Sequence, residues 1–328
     1  MERFEYASPA SRKEAVHLLA GTWGQTEVLA GGTDLISCMK DYLSTPQRVV
    51  SLKRIRDLQG VHYAPGKGLR VGAMTTLREL MDDENVQRYY PALVQAVDGV
   101  RSEQLRTMGT AGGNLLQRPR CWYFRLGYGL LAQYKGKSMP PEGDNRYHAI
   151  FGNAGPAYFV SPSSLAPILI ALGSRVALVG PRGAREIPLE KLFTIPARPG
   201  EREHTLRPNE ILTEIMVPDP QGIRSAIYEV RQKEALDYPL ATAAVALRMS
   251  GNSVRRARIV LGQVAPVPWP SPEAEQALAG KTLSEEVADA AGKAAVGNAT
   301  PLSMNGYKVQ LTRVALKRAV MRAAQGGA

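Results

Sequence analysis

The sequence predicts an α+β protein with two unequal domains, and three observations lead to this prediction. The chain has 328 residues, which suggests two domains at roughly 100–200 residues each. Helix and strand signals alternate up to about residue 220, whereas beyond it strands come first and helices follow. The composition, with 44% hydrophobic residues, 31 Gly and 23 Pro, is typical of a soluble protein that is rich in loops.

The first region, residues 1–220, alternates capped helices with short apolar strands. Ser11 followed by Glu14, and Thr76 followed by Glu79, have the spacing of a capping box at a helix start. A further apolar helix is predicted from Ser161 to Gly173. Strands are predicted at residues 28–30, 48–52, 69–72, 175–179 and 211–217.

Beyond residue 220 the pattern favours a sheet followed by helices. Strands are predicted at 228–232, 242–249 and 254–261, with a turn at residues 250–253 between the last two. The remainder has helical periodicity, and its last helix carries Val309, Val314 and Val320. We therefore place the domain boundary near residue 220.

The segment from Ser102 to Asn153 lacks clear periodicity and is rich in Gly, Pro, Arg and aromatic residues. Irregular segments longer than about 15 residues are usually functional or disordered. The aromatic side chains of Trp122, Tyr123 and Phe124 favour a functional segment.

Cysteine and histidine usage argues against a metal centre in this chain. Only Cys38 and Cys121 are present, and the four histidines show no paired ligand spacing. Zinc and iron–sulfur sites usually need four ligands. Sparse cysteine is consistent with a reducing compartment. The chain has no run of 18 apolar residues and no signal-peptide core at its start, so no membrane span is expected.

The formal net charge of +11 raises nucleic acid as a partner. The basic residues are scattered, with one tight group at Arg255, Arg256 and Arg258. A nucleic-acid reader more often shows a basic stripe interleaved with aromatics. An anionic dinucleotide or an acidic partner subunit explains the charge equally well, and no nucleic acid is expected.

Two glycine-rich stretches could bind a ligand. After the first strand come Gly31, Gly32, Thr33 and Asp34, where the backbone N–H groups can approach an anion. The alternative is a tight turn with a helix cap at Thr33 or Asp34. The second stretch, residues 106–116, combines Thr hydroxyls, glycines and an Asn; it could wrap a polar ligand or be a plain surface loop.

His148 is the other candidate for chemistry, as an acid or base. A single His beside aromatic residues is more often part of the core, and no Ser or Cys partner is suggested nearby. We therefore expect no catalytic residue in this chain.

In their order and spacing these stretches resemble the FAD-binding medium subunit of the xanthine dehydrogenase family of molybdenum hydroxylases. The resemblance covers nearly the whole chain, through the stretches at residues 4–6, 30–35, 107–114, 206–212, 257–266 and 307–308. It is nearest to the aldehyde oxidoreductase and 4-hydroxybenzoyl-CoA reductase branch, on the strings at residues 120–125 and 143–153.

The resemblance implies a fold in which two α/β subdomains in residues 1–220 clamp FAD. An α+β domain follows in residues 221–328, with a three-stranded sheet and helices. In that branch an insertion, here at about 118–145, carries a 4Fe–4S cluster. Only Cys121 remains in this stretch, so we expect a loop without metal.

The resemblance also implies the residues that bind FAD. The first glycine stretch would meet the pyrophosphate, the second would line the opposite wall, and residues 211–212 would pack near the isoalloxazine. Ser164 stands where the family often has an Asp that meets the ribose. The expected set is Leu29, Ala30, Gly31, Gly32, Thr33, Asp34, Leu35, Thr107, Gly109, Thr110, Gly112, Gly113, Asn114, Ser164, Ile211 and Leu212. A base near Arg231–Lys233 is also typical of the family.

The function implied is electron transfer within a larger enzyme. Electrons would pass from a molybdenum cofactor on a large subunit, through 2Fe–2S clusters on a small subunit, to FAD here and then to a terminal acceptor. A heterotrimer or a dimer of heterotrimers in the cytoplasm is expected, with export alongside a signal-bearing partner also open. The alternatives are a stand-alone flavin oxidase and a scaffold subunit that has lost FAD.

Overall fold

Three sheets organise the part of the chain that the computed structural model describes, residues 1–233 and 237–326. The predicted C-terminal domain ends at residue 328, so its last two residues lie outside this part. Within the described residues, no helix is both long enough and apolar enough to cross a bilayer.

The first sheet is small and parallel. It is formed by β1 (Glu5–Ala7), β2 (Thr26–Leu29) and β3 (Arg48–Ser51) in the order β1-β3-β2, joined through α1 (Arg12–Leu18) and α2 (Leu35–Lys40). Helical crossovers are the usual way to connect parallel strands. The Ser11 hydroxyl caps α1 by accepting from the Glu14 N–H at 3.2 Å.

The second sheet begins with a hairpin and is covered by a run of short helices. Its first strands are β4 (Val61–Ala64) and β5 (Gly68–Gly72). The predicted capping box at Thr76 and Glu79 is present in full, with both side-chain bonds. The helices are α3 (Leu77–Asp82), α4 (Glu84–Tyr89), α5 (Pro91–Asp98), α6 (Glu103–Met108) and α7 (Ala111–Leu116).

The inserted segment has some regular structure of its own. It holds α8 (Trp122–Arg125) and a hairpin of β6 (Gln133–Tyr134) and β7 (Lys137–Ser138). Among the described residues, no group of three or more His, Cys, Asp or Glu could hold a metal ion.

The chain then returns to complete the second sheet with α9 (Ala166–Ala171), β8 (Arg175–Gly180), β9 (Gly183–Pro188) and β10 (Ile211–Val217). All its pairs are antiparallel, in the order β4-β5-β10-β8-β9. The helix predicted from Ser161 begins only at Ala166. The prediction was wrong there because the Ser163 hydroxyl and the Leu165 N–H both donate to the Asn114 side chain, which holds this stretch in an irregular path.

The third sheet is antiparallel, with β11 (Ile223–Val230), β12 (Ala241–Ser250), β13 (Ser253–Gly262) and a two-residue β14 (Trp269–Pro270). Beyond it come α10 (Pro272–Leu278), α11 (Glu285–Ala295) and α12 (Tyr307–Ala324). One face of the sheet shares a core with α10–α12, and the other joins the core of the second sheet. The predicted α+β fold is confirmed, and β14 adds a short fourth strand to the three expected.

A buried lysine ties the inserted segment to the third sheet. The Lys308 ammonium is 1% exposed. It donates to the carbonyls of Gln263 at 2.7 Å, His148 at 3.1 Å and Tyr147 at 3.3 Å. An ammonium has three N–H donors, so this arrangement satisfies all of them and fixes the base of the insertion.

Candidate functional site

A cleft of about 460 Å³ opens between the first and second sheets and reaches the edge of the third. All of the predicted binding residues except Leu29 and Thr107 line it. These are Ala30, Gly31, Gly32, Thr33, Asp34, Leu35, Gly109, Thr110, Gly112, Gly113, Asn114, Ser164, Ile211 and Leu212. Residues far apart in sequence are therefore brought to one site.

The first glycine loop, residues 30–35, joins the end of β2 to α2. None of the backbone N–H groups of residues 31–35 donates to an acceptor in the described part of the chain. The Thr33 hydroxyl is exposed and likewise has no protein partner there. Gly32 has φ +83°, a conformation that side-chain-bearing residues rarely adopt. The loop therefore presents a row of unused donors to the cleft, which suits an anion.

The two glycine loops meet at Gly31. A Cβ on this residue would lie 1.8 Å from the Met108 carbonyl oxygen and 3.2 Å from the Gly109 Cα. Only a glycine lets the loops approach so closely, and this contact narrows the cleft between them.

The second glycine loop, residues 107–114, uses its N–H groups internally. Ala111 donates to the Thr75 carbonyl at 2.8 Å and Gly112 to the Ala73 carbonyl at 2.9 Å. The Thr110 hydroxyl caps α7 by accepting from Gly113 at 3.0 Å. This loop therefore contributes shape to the cleft and few free donors.

Asn114 and Ser164 lie together on the same wall. The Asn114 side-chain oxygen accepts from the Ser163 hydroxyl at 2.8 Å and from the Leu165 N–H at 3.1 Å. The intervening Ser164 is 5% exposed, and its hydroxyl bonds to no described residue. Asn114 thus holds Ser164 in place and leaves its hydroxyl available at the cleft.

Ile211 and Leu212 form an apolar floor at the start of β10. Both are buried, at 1% and 3% exposure, and both line the cleft. The pairing of β10 with β8 shifts register between Leu212 and Glu214. A bulge of this kind bends the strand and re-aims its side chains, here directly after Leu212 where the strand borders the cleft.

Five arginine side chains line the cleft and each pairs with a carboxylate, although the partners Glu229 and Asp98 lie outside the lining. Arg120 lies 3.2 Å from Asp34 and Arg202 lies 3.5 Å from Glu27. Arg118 pairs with Glu203, Arg231 with Glu229 and Arg101 with Asp98. Because these guanidinium charges are already compensated, the free N–H groups of the first loop are the main uncompensated attraction for an anion.

Burial shifts the pKa of several groups at one end of the cleft. It raises the pKa of Glu27, an effect that Arg118 partly opposes. It lowers the pKa of His204, whose Nε2 lies 3.1 Å from the Leu115 carbonyl. The neutral imidazole is therefore favoured, and its Nε2–H donates to α7.

The two remaining predicted residues lie beside the cleft. Leu29 ends β2, and its methyl carbon would be 3.2 Å from a Cβ on Gly32. The Thr107 hydroxyl donates back to the Glu103 carbonyl of α6 at 3.0 Å, so it serves the helix.

His148, considered above as an acid or base, does not line the cleft. It is buried, its Nε2 lies 3.2 Å from the Cys121 sulfur, and burial lowers its pKa to about 4. The sequence suggested no Cys partner for His148, but the structure pairs it with Cys121 of the inserted segment, away from the cleft.

Sequence reasoning missed the charged lining of the cleft. Trp23, Glu27, Arg118, Arg202 and Glu203 all line it, and the Arg202 guanidinium lies 4.6 Å from the centre of the Trp23 ring. The Arg-Pro-Arg string at residues 118–120 is a local signal of positive charge in this stretch. The other residues act through long-range pairs that no local pattern reveals.

Two protein-family models match the chain. "FAD binding domain in molybdopterin dehydrogenase" matches residues 2–220, and "CO dehydrogenase flavoprotein C-terminal domain" matches residues 226–323.

Similar proteins cover almost the whole chain. The carbon monoxide dehydrogenase medium chain of Hydrogenophaga pseudoflava is 30% identical, covering 97% of this chain and 96% of its own length. The aldehyde oxidoreductase FAD-binding subunit PaoB of Escherichia coli is 29% identical, covering 95% and 96%. A solved structure of the Hydrogenophaga pseudoflava enzyme superposes with a TM-score of 0.79 at 28% identity, covering 100% of this chain and 99% of that one.

The family model for the first region alone covers well over half of the chain, and the matches continue to its last helix. The predicted resemblance is therefore confirmed. This chain belongs to the family of FAD-binding medium subunits of molybdenum hydroxylases, which includes those of CO dehydrogenase, aldehyde oxidoreductase and xanthine dehydrogenase.

Proposed function

We propose that this chain holds one FAD in its cleft and relays electrons within a molybdenum hydroxylase of the aldehyde oxidoreductase or xanthine dehydrogenase type. Electrons would come from 2Fe–2S clusters on a small partner subunit and leave for a terminal acceptor. The observation that carries the proposal is the row of free N–H groups at residues 31–35, closed against the second loop.

The first loop would hold the pyrophosphate of FAD. Backbone N–H groups bind phosphate oxygens well where no side chain blocks the approach. Gly31 and Gly32 remove that obstacle, and the exposed Thr33 hydroxyl adds a donor. Leu29 and Ala30 lead the chain into this loop, and Asp34 and Leu35 contribute their N–H groups.

The second loop would form the opposite wall. Gly109, Thr110, Gly112 and Gly113 keep that wall thin, so that a flat, extended cofactor can pass between the loops. Thr107 would support the wall indirectly, because its hydroxyl is bonded to α6.

Ser164, Asn114 and the floor at Ile211 and Leu212 would orient the rest of the cofactor. The Ser164 hydroxyl, held by its neighbours' bonds to Asn114, would meet a ribose hydroxyl. The floor residues present apolar side chains, which suit the isoalloxazine ring and exclude water from it.

When bound, FAD supplies the redox chemistry, because it accepts electrons singly and delivers them in pairs. The chain's own part is to bind, orient and shield it. The partners would be a large molybdenum-cofactor subunit and a small 2Fe–2S subunit, in a heterotrimer or a dimer of heterotrimers. We further propose a cytoplasmic location, which is consistent with two free thiols, Cys38 and Cys121.

The test is to purify the chain with its natural partners and record the visible spectrum before and after acid release of the cofactor, with iron and molybdenum analysis. We expect FAD on this chain, and iron for two 2Fe–2S clusters and no more. Additional iron equivalent to a 4Fe–4S cluster would contradict the loop without metal. Absence of flavin would overturn the proposal and favour a scaffold subunit.

A further inference from the structure

The inserted segment is hydrogen-bonded to the first glycine loop through the Asp34 side chain. One carboxylate oxygen of Asp34 accepts from the Arg118 backbone N–H at 2.7 Å. The other accepts from the Arg125 guanidinium at 2.9 Å and lies 3.2 Å from that of Arg120. Both oxygens are therefore turned toward residues 118–125 and away from the loop's own backbone.

Arg125 is the centre of this contact. Its side chain is 17% exposed, and it donates to four acceptors. Besides Asp34, these are the Pro119 carbonyl at 2.9 Å, the Arg118 carbonyl at 3.2 Å and the Cys38 sulfur at 3.0 Å. One guanidinium thus fixes the loop, the following helix α2 and its own segment together.

The direction in which Asp34 points is unusual for its position. Asp34 is the N-cap of α2, yet it makes no side-chain capping bond. An Asp at an N-cap ordinarily accepts from backbone N–H groups two or three residues ahead. The N–H groups two and three residues ahead of Asp34 are those of Ile36 and Ser37, so a carboxylate in that ordinary position would carry negative charge to the start of α2, directly beside the loop where a diphosphate has to bind.

We propose that Arg125 is a positioning residue that holds the Asp34 carboxylate away from the N–H groups of residues 31–35, so that they stay free for the diphosphate of FAD. This inference rests on the proposed function. Arg125 then takes part in cofactor binding without lining the cleft itself, and the Arg118 N–H assists by binding the second carboxylate oxygen.

If Arg125 acts in this way, a second substitution, at Asp34, should restore the FAD affinity that is lost when Arg125 is replaced. In Arg125→Gln the carboxylate is released, and its negative charge opposes binding of the diphosphate at the neighbouring N–H groups. We expect FAD affinity to fall about 10- to 100-fold, by analogy with the loss of groups that orient metal ligands. In the double variant Arg125→Gln/Asp34→Ala no carboxylate is left to compete, so most of the affinity should return.

The experiment uses the complex with its partners, stripped of flavin, and titrates FAD while following flavin fluorescence. Thermal unfolding of each variant, with and without FAD, reports the folded fraction and the stabilisation that FAD confers. The matched control is Arg313→Gln. Arg313 makes a bidentate pair with Asp289 at 2.8 and 2.9 Å on the C-terminal helices. This variant should lose stability and keep its FAD affinity.

The outcomes separate this inference from the proposed function. If the unaltered complex does not bind FAD, the proposed function itself fails. If it binds FAD and Arg125→Gln binds equally well, the inference fails alone. A double variant that binds as weakly as Arg125→Gln would also overturn it, because a merely structural arginine gives no recovery. Should Arg125→Gln not fold, Arg125→Lys is decisive: its ammonium can still pair with the Asp34 carboxylate, so FAD affinity should stay close to that of the unaltered chain, and a large loss would overturn the inference.

Discussion

The two glycine-rich loops of the cleft are alike in sequence and opposite in how they use their backbone. Residues 31–35 leave their N–H groups without an acceptor in the described part of the chain, whereas Ala111, Gly112 and Gly113 bond theirs within the fold. The first loop therefore has donors to offer a ligand, and the second is held rigid and thin by its own bonds. A glycine-rich composition alone does not distinguish these roles, because glycine serves both close approach to a ligand and close packing of the chain.

The largest effect is expected where the loops touch, in Gly31→Ala. The added Cβ would lie 1.8 Å from the Met108 carbonyl, so the loops have to separate. We expect a loss of about 3 kcal/mol of unfolding free energy, the upper end for overpacking, together with the loss of FAD. Denaturant unfolding and flavin content measure the two effects. Gly21→Ala is the control, because nothing lies within 4 Å of its Cβ position, and an equal loss in both variants would contradict this role for Gly31.

The binding role of the first loop is tested by Thr33→Ala. The hydroxyl is exposed and has no described protein partner. Its removal should leave the stability of the apo form unchanged and weaken FAD about tenfold, the equivalent of one hydrogen bond to a charged group. Titration of the flavin-free complex with FAD measures the affinity. Unchanged affinity would mean that Thr33 points away from the diphosphate.

The opposite result is expected for Thr110→Ala in the second loop. Its hydroxyl accepts from the Gly113 N–H at 3.0 Å as the cap of α7. Loss of an N-cap costs about 1 kcal/mol of stability, and FAD affinity should change less than in Thr33→Ala. Thermal unfolding and FAD titration on the same samples measure the loss of stability and the change in affinity. If affinity falls more in Thr110→Ala than in Thr33→Ala, the assignment of the two loops is reversed.

The smallest expected effect is on the pH dependence of stability, and it comes from His204, which supports α7 beside the second loop. Burial lowers the pKa of His204, so the unfolded chain takes up the proton first, and stability falls as pH drops below about 6.5. Between pH 7.5 and 6.0 one such histidine contributes a loss of at most about 0.8 kcal/mol. The variant His204→Gln, which keeps a donor toward Leu115, should lose less stability over this interval. Unfolding at several pH values tests this, and an identical pH dependence in both proteins would contradict it.

Much of the fold could be predicted because its signals are local. The strand predicted at 211–217 occupies those residues, and the capping box at Thr76 and Glu79 is formed. The helix predicted from Ser161 failed because its first turn is taken up by a long-range partner, Asn114. Local propensity carries no information about such partners.

In the candidate site, too, contacts between residues far apart in sequence could not be predicted from local patterns. Proximity of the two glycine loops followed from the family resemblance, and the cleft brings their residues together. The charge pairs of Arg118 with Glu203 and Arg202 with Glu27 join segments that are 85 and 175 residues apart. The different use of backbone donors also depends on what each loop packs against, which a sequence pattern does not encode.

The buried Lys308 has a consequence for the order in which the molecule is made. Its ammonium donates to the carbonyls of Tyr147, His148 and Gln263, yet it belongs to α12, which is synthesised after all the other helices and strands described above. Domains generally begin to fold from the N-terminus during synthesis. The walls of the cleft can therefore form early, before Lys308 is available to fix the base of the insertion. A nascent chain lacking α12 would have an insertion without this lysine contact, and the segment that holds Asp34 would gain its final support only after α12 has been synthesised.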